Sequence, residues 1–578
     1  MTPREEEVLA SISTEEPWAL IERFSEMHRW MPDDVNRGAD EIIARLRRLG
    51  LPLTVHEPEI YLSVPLSASV EAGGIEMRAK PPSMSLPVPD GVTGELVYLS
   101  ANVKNLRTYT KNAAEIFSGG AENLAQRLGG RILVTEGFGS PALTSIAEEC
   151  GALGLIVINP GQNIHWGTCT TIWGTPGLDD FSRKPAIPVV AVNNPDGQTL
   201  IEQARAGANA TIRSELLEGW FPQKIPVVHI DGTEEPDDFV LVHGHYDSWD
   251  VGVGDNATGD ATMLELARVL HTHRGQLRRS VRIAWWPGHS TGCYAGSAWY
   301  ADAFAMDIEA HCVASINCDS PGCRWATSYH KTTCMAEMKA HVRAVIEEVA
   351  GQSPDWIRPK RAGDHSFYNI GLSTYFSLTS TMPTALRDEK GYYEVSGCGG
   401  NITWHTEDDT LEIADRDVLL TDLRIYTLAV LRHAAEAILP MDWRATAAEF
   451  AEAVDRYQAA TGTAFDLTPA RDATRSLAEI INELYTAIEA GRLAPRAANS
   501  VLMRIGRVLI PINYAREPRF AQDPAYVCPP LPSLALATEF ADLPADRIGF
   551  AKTELVRGQN RYLAALIEGG DIIRQALA

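Results

Sequence analysis

The chain has 578 residues, with 45% hydrophobic and 22% charged side chains, which argues against a disordered or fibrous protein. Its length predicts several domains rather than one core. The net charge of -24 argues against a nucleic-acid partner, because such binding needs clustered lysines and arginines. Acidic residues occupy the start, where a secretion signal is basic, and no segment approaches about 18 apolar residues in a row. We therefore expect a cytoplasmic protein that has no membrane segment.

The first part of the chain combines helical and extended patterns. Apolar residues at three-and-four spacing predict helix over residues 15–50, and the apolar stretch at 51–64 predicts an extended segment. From Gly74 the pattern changes to short strands between Gly and Pro turns, namely GELVYLS, GGRILVTEG, LGLIVINPG and AIPVVAVNN. This change indicates a separate α/β module inserted into the first domain.

Strands and helices alternate from Trp220 to about Leu439. The predicted strands are PVVHID, FVLVHGH, VRIAWW, CVASINCD and TYFSLTS. Such alternation predicts an α/β domain with a mostly parallel sheet, helices on both faces and ligand sites beyond the carboxyl ends of the strands. After Pro440 the pattern is that of amphipathic helices, which predicts a helical domain.

The segment HGHYDSWDVGVGDNATGDA carries the strongest chemical signal. His245 ends the apolar strand, and Asp247 and Asp255 follow it. Imidazole and carboxylate groups at a strand end are metal ligands, and Asp247 can accept the second ring proton of His245. A hydrogen-bonded His and Asp pair without metal is the alternative.

These motifs, HYDSW and then DNATG, resemble metallopeptidase family twenty-eight, which contains aminopeptidases and glutamate carboxypeptidase-like proteins. The resemblance implies that His245 binds one zinc, that Asp255 bridges two zincs and that Asp247 lies behind the ligands. SINCDSPG and NITWHTEDDT resemble further ligand motifs of the family and imply Asp319 and His405 as ligands.

Other segments resemble parts of the same proteins. RAGDHSFYNIG is similar to the family's SDHxxF segment and implies Asp364 and His365 at the substrate pocket, with a satisfied loop pair as the alternative. Residues 70–215 resemble a protease-associated domain, whose loop residues His165 and Trp166 face substrate or simply pack. The resemblance implies catalytic segments at 1–69 and 216–440, and a helical, dimerisation-like domain at 441–578 that forms a homodimer.

The chain departs from this family at its catalytic glutamates. The family reads W-x-x-Glu-Glu-x-Gly, with a general base followed by a zinc ligand, whereas this chain reads AWWPGHSTGCYAGS. His289 therefore stands at the base position and Ser290 at the ligand position. Glu407 and Asp408 are substitute bases that we do not favour, because charged loop residues are usually solvated.

Four interpretations of this departure remain open. His289 replaces a ligand at a two-ion site, or it transfers protons while one ion is poorly held. In the third, His289, His405 and Asp255 form a two-histidine, one-carboxylate set of the kind that non-haem iron uses, and the reaction is not peptide hydrolysis. In the fourth, the protein is an inactive binding relative.

We expect a metal-dependent hydrolase that cleaves an amide bond of a small peptide or N-acyl amino acid with metal-bound hydroxide. His289 and Asp247 are the expected catalytic residues, and the cofactor is one or two divalent ions, zinc first, with iron or manganese as alternatives. Arg324 and Arg387 are candidates for binding a substrate carboxylate. The expected partners are a small-molecule or short-peptide substrate and a second copy of the chain.

Overall fold

The computed structural model describes residues 1–102, 112–119 and 122–578. Helix over residues 15–50 is interrupted at 25–31, and the second helix begins at Pro32. Proline fits the first turn of a helix because its missing N–H would have no partner there. The first elements are α1 (Pro3–Ala10), α2 (Glu15–Phe24), α3 (Pro32–Arg48) and β1 (Leu53–His56).

Residues 59–222 contain a seven-stranded sheet in the order β3-β2-β8-β4-β5-β6-β7 among the described residues. The chain enters this sheet through β2 and leaves it through β8, and these two long strands pair antiparallel. Strands β4 to β7 pair in parallel. The strands are β2 (Glu59–Ala72), β3 (Ile75–Ala79), β4 (Val88–Tyr98), β5 (Ile132–Glu136), β6 (Gly154–Ile158), β7 (Val189–Val192) and β8 (Asn209–Pro222). The helices are α4 (Ala113–Ile116), α5 (Leu124–Leu128), α6 (Pro141–Glu149) and α7 (Asn194–Arg205).

A second sheet has the order β1-β9-β11-β10-β12-β15. Its centre is parallel, whereas β9 pairs antiparallel with β1 and β11. The strands are β9 (Ile225–Ile230), β10 (Glu235–His245), β11 (Arg279–Trp286), β12 (Cys312–Asn317), β13 (Thr332–Thr333), β14 (Trp356–Ile357) and β15 (Thr374–Tyr375). The helices are α8 (Thr258–Thr272), α9 (Ala295–Ala303), α10 (Ala305–His311), α11 (Lys339–Ala350), α12 (Thr384–Glu389) and α13 (Arg416–Ala435).

The predicted strand TYFSLTS is much shorter than its apolar pattern suggests. It ends at Tyr375, because Phe376 has a left-handed φ of 61° that breaks extended geometry. The other four predicted strands of this region form β9 to β12. The predicted α/β class with a mostly parallel sheet is therefore confirmed.

Helices follow the second sheet to the end of the chain, as predicted. They are α14 (Trp443–Thr461), α15 (Thr468–Glu489), α16 (Pro495–Tyr514) and α17 (Ile548–Leu577). Their apolar faces join the core of the second sheet in one continuous cluster that includes Trp443, Phe450 and Leu509. None of the helices described for this chain combines the length and apolar character that a membrane crossing requires. The predicted domain boundaries stay predictions.

Candidate metal centre

The predicted metal residues lie at the carboxyl edge of the second sheet. The ends of its central strands are in register, since His245 of β10 pairs with Trp286 of β11. Asp319 follows β12, whose Asn317 pairs with His243 of β10. Because these strands are parallel, the residues that follow them emerge at one edge of the sheet.

Asp255 lies between two histidines. One of its carboxylate oxygens is 3.0 Å from His245 Nε2, and the other is 3.0 Å from His405 Nε2. Asp409 supports this loop, because its carboxylate accepts the backbone N–H groups of Gly254 and Asp255 at 2.7 and 3.0 Å. Asp255 thus lies between His245 and His405, and its bridging of two ions stays a prediction.

The ring orientation of His245 leaves one nitrogen for a metal. Its Nδ1 lies 2.9 Å from the backbone carbonyl oxygen of Asp247, whereas the carboxylate of Asp247 is 3.8 Å away. A carbonyl only accepts, so Nδ1 carries a proton, and Nε2 is the nitrogen that presents a lone pair to a metal once its own proton is lost. The partner of this ring is therefore the Asp247 carbonyl rather than the carboxylate we expected.

His289 joins the same group. Its ring stacks on His245 with 3.8 Å between centroids, and its Nδ1 lies 2.7 Å from the Asp364 carboxylate. Ligand atoms of His245, His289 and Asp319 lie within 4.8 Å of one another. Because Nδ1 donates to Asp364, Nε2 is the nitrogen of His289 that can bind a metal or accept a proton.

A chain of buried hydrogen bonds connects Asp364 with Trp173. Ser297 donates to its second carboxylate oxygen at 2.8 Å, and Ser366 lies 2.9 Å from the Ser297 hydroxyl. The indole N–H of Trp173 donates to Ser366 at 2.8 Å. Indole nitrogen can only donate, so the protons point from Trp173 through both serines to the carboxylate. This direction keeps Asp364 an acceptor for His289.

The electrostatics of the group favour a cation. Burial opposes a charged His245, but Asp255, Asp319 and Asp247 outweigh burial and raise the pKa of the imidazolium well above its usual range. Burial and the neighbouring Asp255 raise the pKa of Asp319 to about 6. Burial also acts to raise the pKa of Asp364, yet His289 overrides it and the pKa falls to about 2.

A cavity of about 280 Å³ opens onto this group and is lined by Asp255, His289, Ser290, Asp319 and His405. Among the predicted substrate residues, His365 and Arg387 also line it. Arg387 is held there by Asp388 at 3.1 Å, and His365 is buried with its ring stacked on Tyr368.

Arg324 and Asp364 do not contribute as expected to that cavity. Arg324 is exposed, lies outside the lining and places its guanidinium 4.9 Å from the Trp325 ring centre. Asp364 is buried and is occupied by His289 and Ser297 rather than directed at the cavity. Sequence proximity to the motifs could not reveal either orientation.

The loop around Trp166 packs against the metal residues. The His405 ring donates from Nδ1 to the Trp166 carbonyl at 3.0 Å, and the Trp166 indole donates to Asp250 at 3.0 Å. His165 contacts the Trp404 carbonyl and the Tyr393 hydroxyl at 2.6 and 2.7 Å. Both loop residues line the cavity, but their polar atoms bind protein.

Both alternative bases, Glu407 and Asp408, have partners in the first sheet region. Glu407 forms an ion pair with Lys80 at 2.9 Å and another with Arg78. Asp408 accepts a hydrogen bond from Asn163 at 2.5 Å. These contacts join the loop after His405 to the first sheet region.

Several supporting residues escaped sequence reasoning. Asp409, Ser297, Ser366 and Trp173 act through other side chains. Asp409 was the easiest of these to predict, because it stands in the same NITWHTEDDT motif as His405. Ser366 stands in the motif RAGDHSFYNIG, but Trp173 lies outside every motif and contacts Ser366 across 193 positions, which no local pattern indicates.

Residues 227–426 match the family described as Peptidase family M28. This domain belongs to peptidase family M28. The M28 domain is similar to aminopeptidase YwaD of Bacillus subtilis, with 28% identity over 181 residues that cover 31% of this chain and 36% of that protein. Aminopeptidase NAALADL1 of Mus musculus is 37% identical over 211 residues, covering 32% of this chain and 27% of the relative.

Transferrin receptor protein 1 of Gallus gallus is 36% identical over 223 residues, which cover 30% of this chain and 28% of the receptor. The chain thus spans well under half the length of these curated relatives. Among solved structures, BSAP, a zinc aminopeptidase from Bacillus subtilis, matches with a TM-score of 0.53 and 19% identity, covering 74% of this chain and 96% of that structure. This likeness supports the fold, and the curated relatives support the family of the domain.

Proposed function

We propose that the chain is a metal-dependent hydrolase that cleaves an amide bond of a small peptide or an N-acyl amino acid. The observation that carries the proposal is the convergence of His245, His289 and Asp319 beside Asp255 at the edge of a cavity. The aminopeptidase relatives of the M28 domain point to the same class of reaction.

The donor atoms suit a divalent cation, zinc above all. Imidazole nitrogens and carboxylate oxygens are zinc ligands. His245 Nε2 and an oxygen of Asp255 are buried and face each other at 3.0 Å. Without a metal, a proton on Nε2 holds this pair together, as the raised pKa of the His245 imidazolium reflects. A divalent cation can take the place of that proton, so these two atoms fit a metal.

A bound divalent ion supplies Lewis acidity toward the substrate carbonyl and makes an attacking water more acidic. Groups of this chain orient the imidazole rings that would hold the ion. Asp364 orients the His289 ring, and the Trp166 carbonyl orients His405. We propose that Arg387, which Asp388 holds at 3.1 Å in the lining of the cavity, binds a carboxylate of the substrate.

Amide cleavage by the full chain tests this function. A library of dipeptides and N-acyl amino acids is assayed before chelation, after chelation and after Zn²⁺ is restored. We expect chelation to abolish cleavage and Zn²⁺ to restore it. His289→Ala is expected to lower kcat/KM by about 10²–10⁴, the range for a lost proton-transfer group, while the distant His271→Ala leaves it unchanged. Full turnover by metal-free protein would disprove the proposal.

A second candidate function is non-peptidase chemistry at a one-metal or iron site. It is favoured by the His245, His289 and Asp319 group, a two-histidine, one-carboxylate set that differs from the set with His405 expected from sequence. Near-stoichiometric iron in the purified protein, together with no cleavage in the amide library, would favour this reaction over hydrolysis. The homodimer and the cytoplasmic location stay predictions.

A further inference from the structure

The metal-binding atoms are divided unevenly on the two sides of Asp255. On one side, ligand atoms of His245, His289 and Asp319 lie within 4.8 Å of one another, and an Asp255 oxygen is 3.0 Å from His245 Nε2. Two nitrogens and two carboxylates are enough for one catalytic zinc ion, which needs three protein ligands and an open position for water. No other three His, Cys, Asp or Glu side chains in the described ranges bring ligand atoms so close together.

The other side offers only two ligands. The second oxygen of Asp255 lies 3.0 Å from His405 Nε2. Ser290 stands where the resembling family has its zinc-binding glutamate, and a neutral hydroxyl is a weak ligand. It lines the same cavity as His405.

Nearby carboxylates cannot replace that glutamate. Glu407 is paired with Lys80, and Asp408 accepts from Asn163. Asp409 is buried and accepts two backbone N–H groups and the Cys398 thiol. Each is committed to holding its loop rather than directed at His405.

Charge balance leads to the same result. The carboxylates that reach the ions are Asp255 and Asp319, and their two negative charges balance one divalent cation. A second cation would place two uncompensated positive charges in a buried site, which is unfavourable because the ion loses its hydration without gaining a counter-charge. Loss of two glutamates therefore removes both the ligand and the charge that a second ion requires.

We infer that the chain holds one tightly bound divalent ion, between His245, His289, Asp319 and Asp255, and that the His405 side lacks a tight site because Ser290 replaces an acid. This inference deepens the proposed function by fixing the stoichiometry of its metal centre. A carboxylate introduced at position 290 should create a tight second site, because it supplies the missing ligand and charge.

Zinc stoichiometry tests the inference. The metal-free full chain is titrated with Zn²⁺ in competition with a chelator, and bound zinc is counted by elemental analysis after dialysis. We expect one ion per chain, bound at least 100-fold more tightly than any second. Ser290→Glu is expected to hold two ions, whereas the matched neutral variant Ser290→Gln stays at one. Two ions of similar affinity in the wild type, or one ion in a Ser290→Glu protein that melts like the wild type, overturn the inference.

Two more variants test where the ion lies. Asp319→Asn is expected to weaken Zn²⁺ binding more than 100-fold. His405→Asn, which tolerates the left-handed φ of 58° at this position, is expected to change it less than threefold. Equal losses in both variants refute the assigned location. Amide cleavage is measured separately: a one-ion protein without cleavage refutes the proposed function alone, and a two-ion protein that cleaves amides refutes this inference alone.

Discussion

Asp364 is the residue through which the fold controls His289, and its replacement gives a sharp test. The carboxylate accepts from His289 Nδ1 at 2.7 Å and from Ser297 at 2.8 Å, and it is fully buried. Its backbone has a left-handed φ of 56°. Asparagine has the same shape and tolerates this conformation, so Asp364→Asn removes the charge with little backbone strain.

The expected magnitude follows from the two hydrogen bonds. A hydrogen bond to a charged group contributes about 1.5–3 kcal/mol, and one between neutral groups about 0.5–1.5 kcal/mol. Losing the charge thus costs about 1 kcal/mol for each bond, and about 1.4 kcal/mol is a tenfold change in affinity. Partners of metal-binding histidines typically contribute 10–100-fold to metal affinity. We expect Asp364→Asn to weaken Zn²⁺ binding by about 10–100-fold.

Competition with a chromogenic chelator measures this change on the folded variant. Ser297→Ala is the matched control, because it removes one hydrogen bond to the same carboxylate but keeps the negative charge and the His289 contact. Since the charge is retained, we expect a loss of at most about fivefold for this control. If Asp364→Asn binds Zn²⁺ within twofold of the wild type and melts normally, Asp364 does not position a metal ligand.

Three further predictions concern stability. Lys80→Met removes a buried partner of Glu407, and we expect the free energy of unfolding in urea to fall by about 1.5–3 kcal/mol. An unchanged urea midpoint would show that other contacts hold the first sheet region to the loop after His405. Arg279→Met removes the ion pair that Arg279 forms with the buried Glu235 at 2.9 Å. We expect the free energy of unfolding to fall by about 3–5 kcal/mol, and a loss below about 1 kcal/mol would contradict this. Burial lowers the pKa of His433 to about 3 in the folded protein. As the pH drops below about 6.5, this histidine is protonated in the unfolded chain but not in the folded one, so the free energy of unfolding falls. Between pH 7 and 5 this residue should account for about 2 kcal/mol, and His433→Phe should reduce the acid sensitivity by that amount.

Much of the metal centre was predictable because ligand motifs follow buried strands. The strand FVLVHGH and the motif SINCDSPG sit on neighbouring parallel strands, so His245 and Asp319 had to emerge at one edge of the sheet. The position of His289 followed in the same way from the strand VRIAWW. Strand periodicity and strand order therefore carried the prediction of which residues meet.

The orientation of those residues was not predictable. The partner of His289 is Asp364, 75 positions away in a loop without regular structure, and the partner of His405 is a backbone carbonyl at Trp166. Backbone carbonyls have no residue-type signature, so no motif could indicate that contact. Arg324 shows the converse error: its residue type suits a carboxylate, but its loop directs it to Trp325 instead.

The buried polar atoms also bear on whether the protein is an inactive relative that only binds partners. Without a metal, the carboxylates of Asp255 and Asp319 are buried close together, and burial and the neighbouring Asp255 raise the pKa of Asp319 to about 6, which reflects the cost of keeping both acids charged there. A sequence free to lose its metal would relieve that cost by replacing either side chain with an apolar one. A chain of buried hydrogen bonds through Asp364, Ser297, Ser366 and Trp173 also orients His289, so that one of its ring nitrogens remains for a metal. The cost of the buried acids and the support of His289 together favour a centre that binds metal.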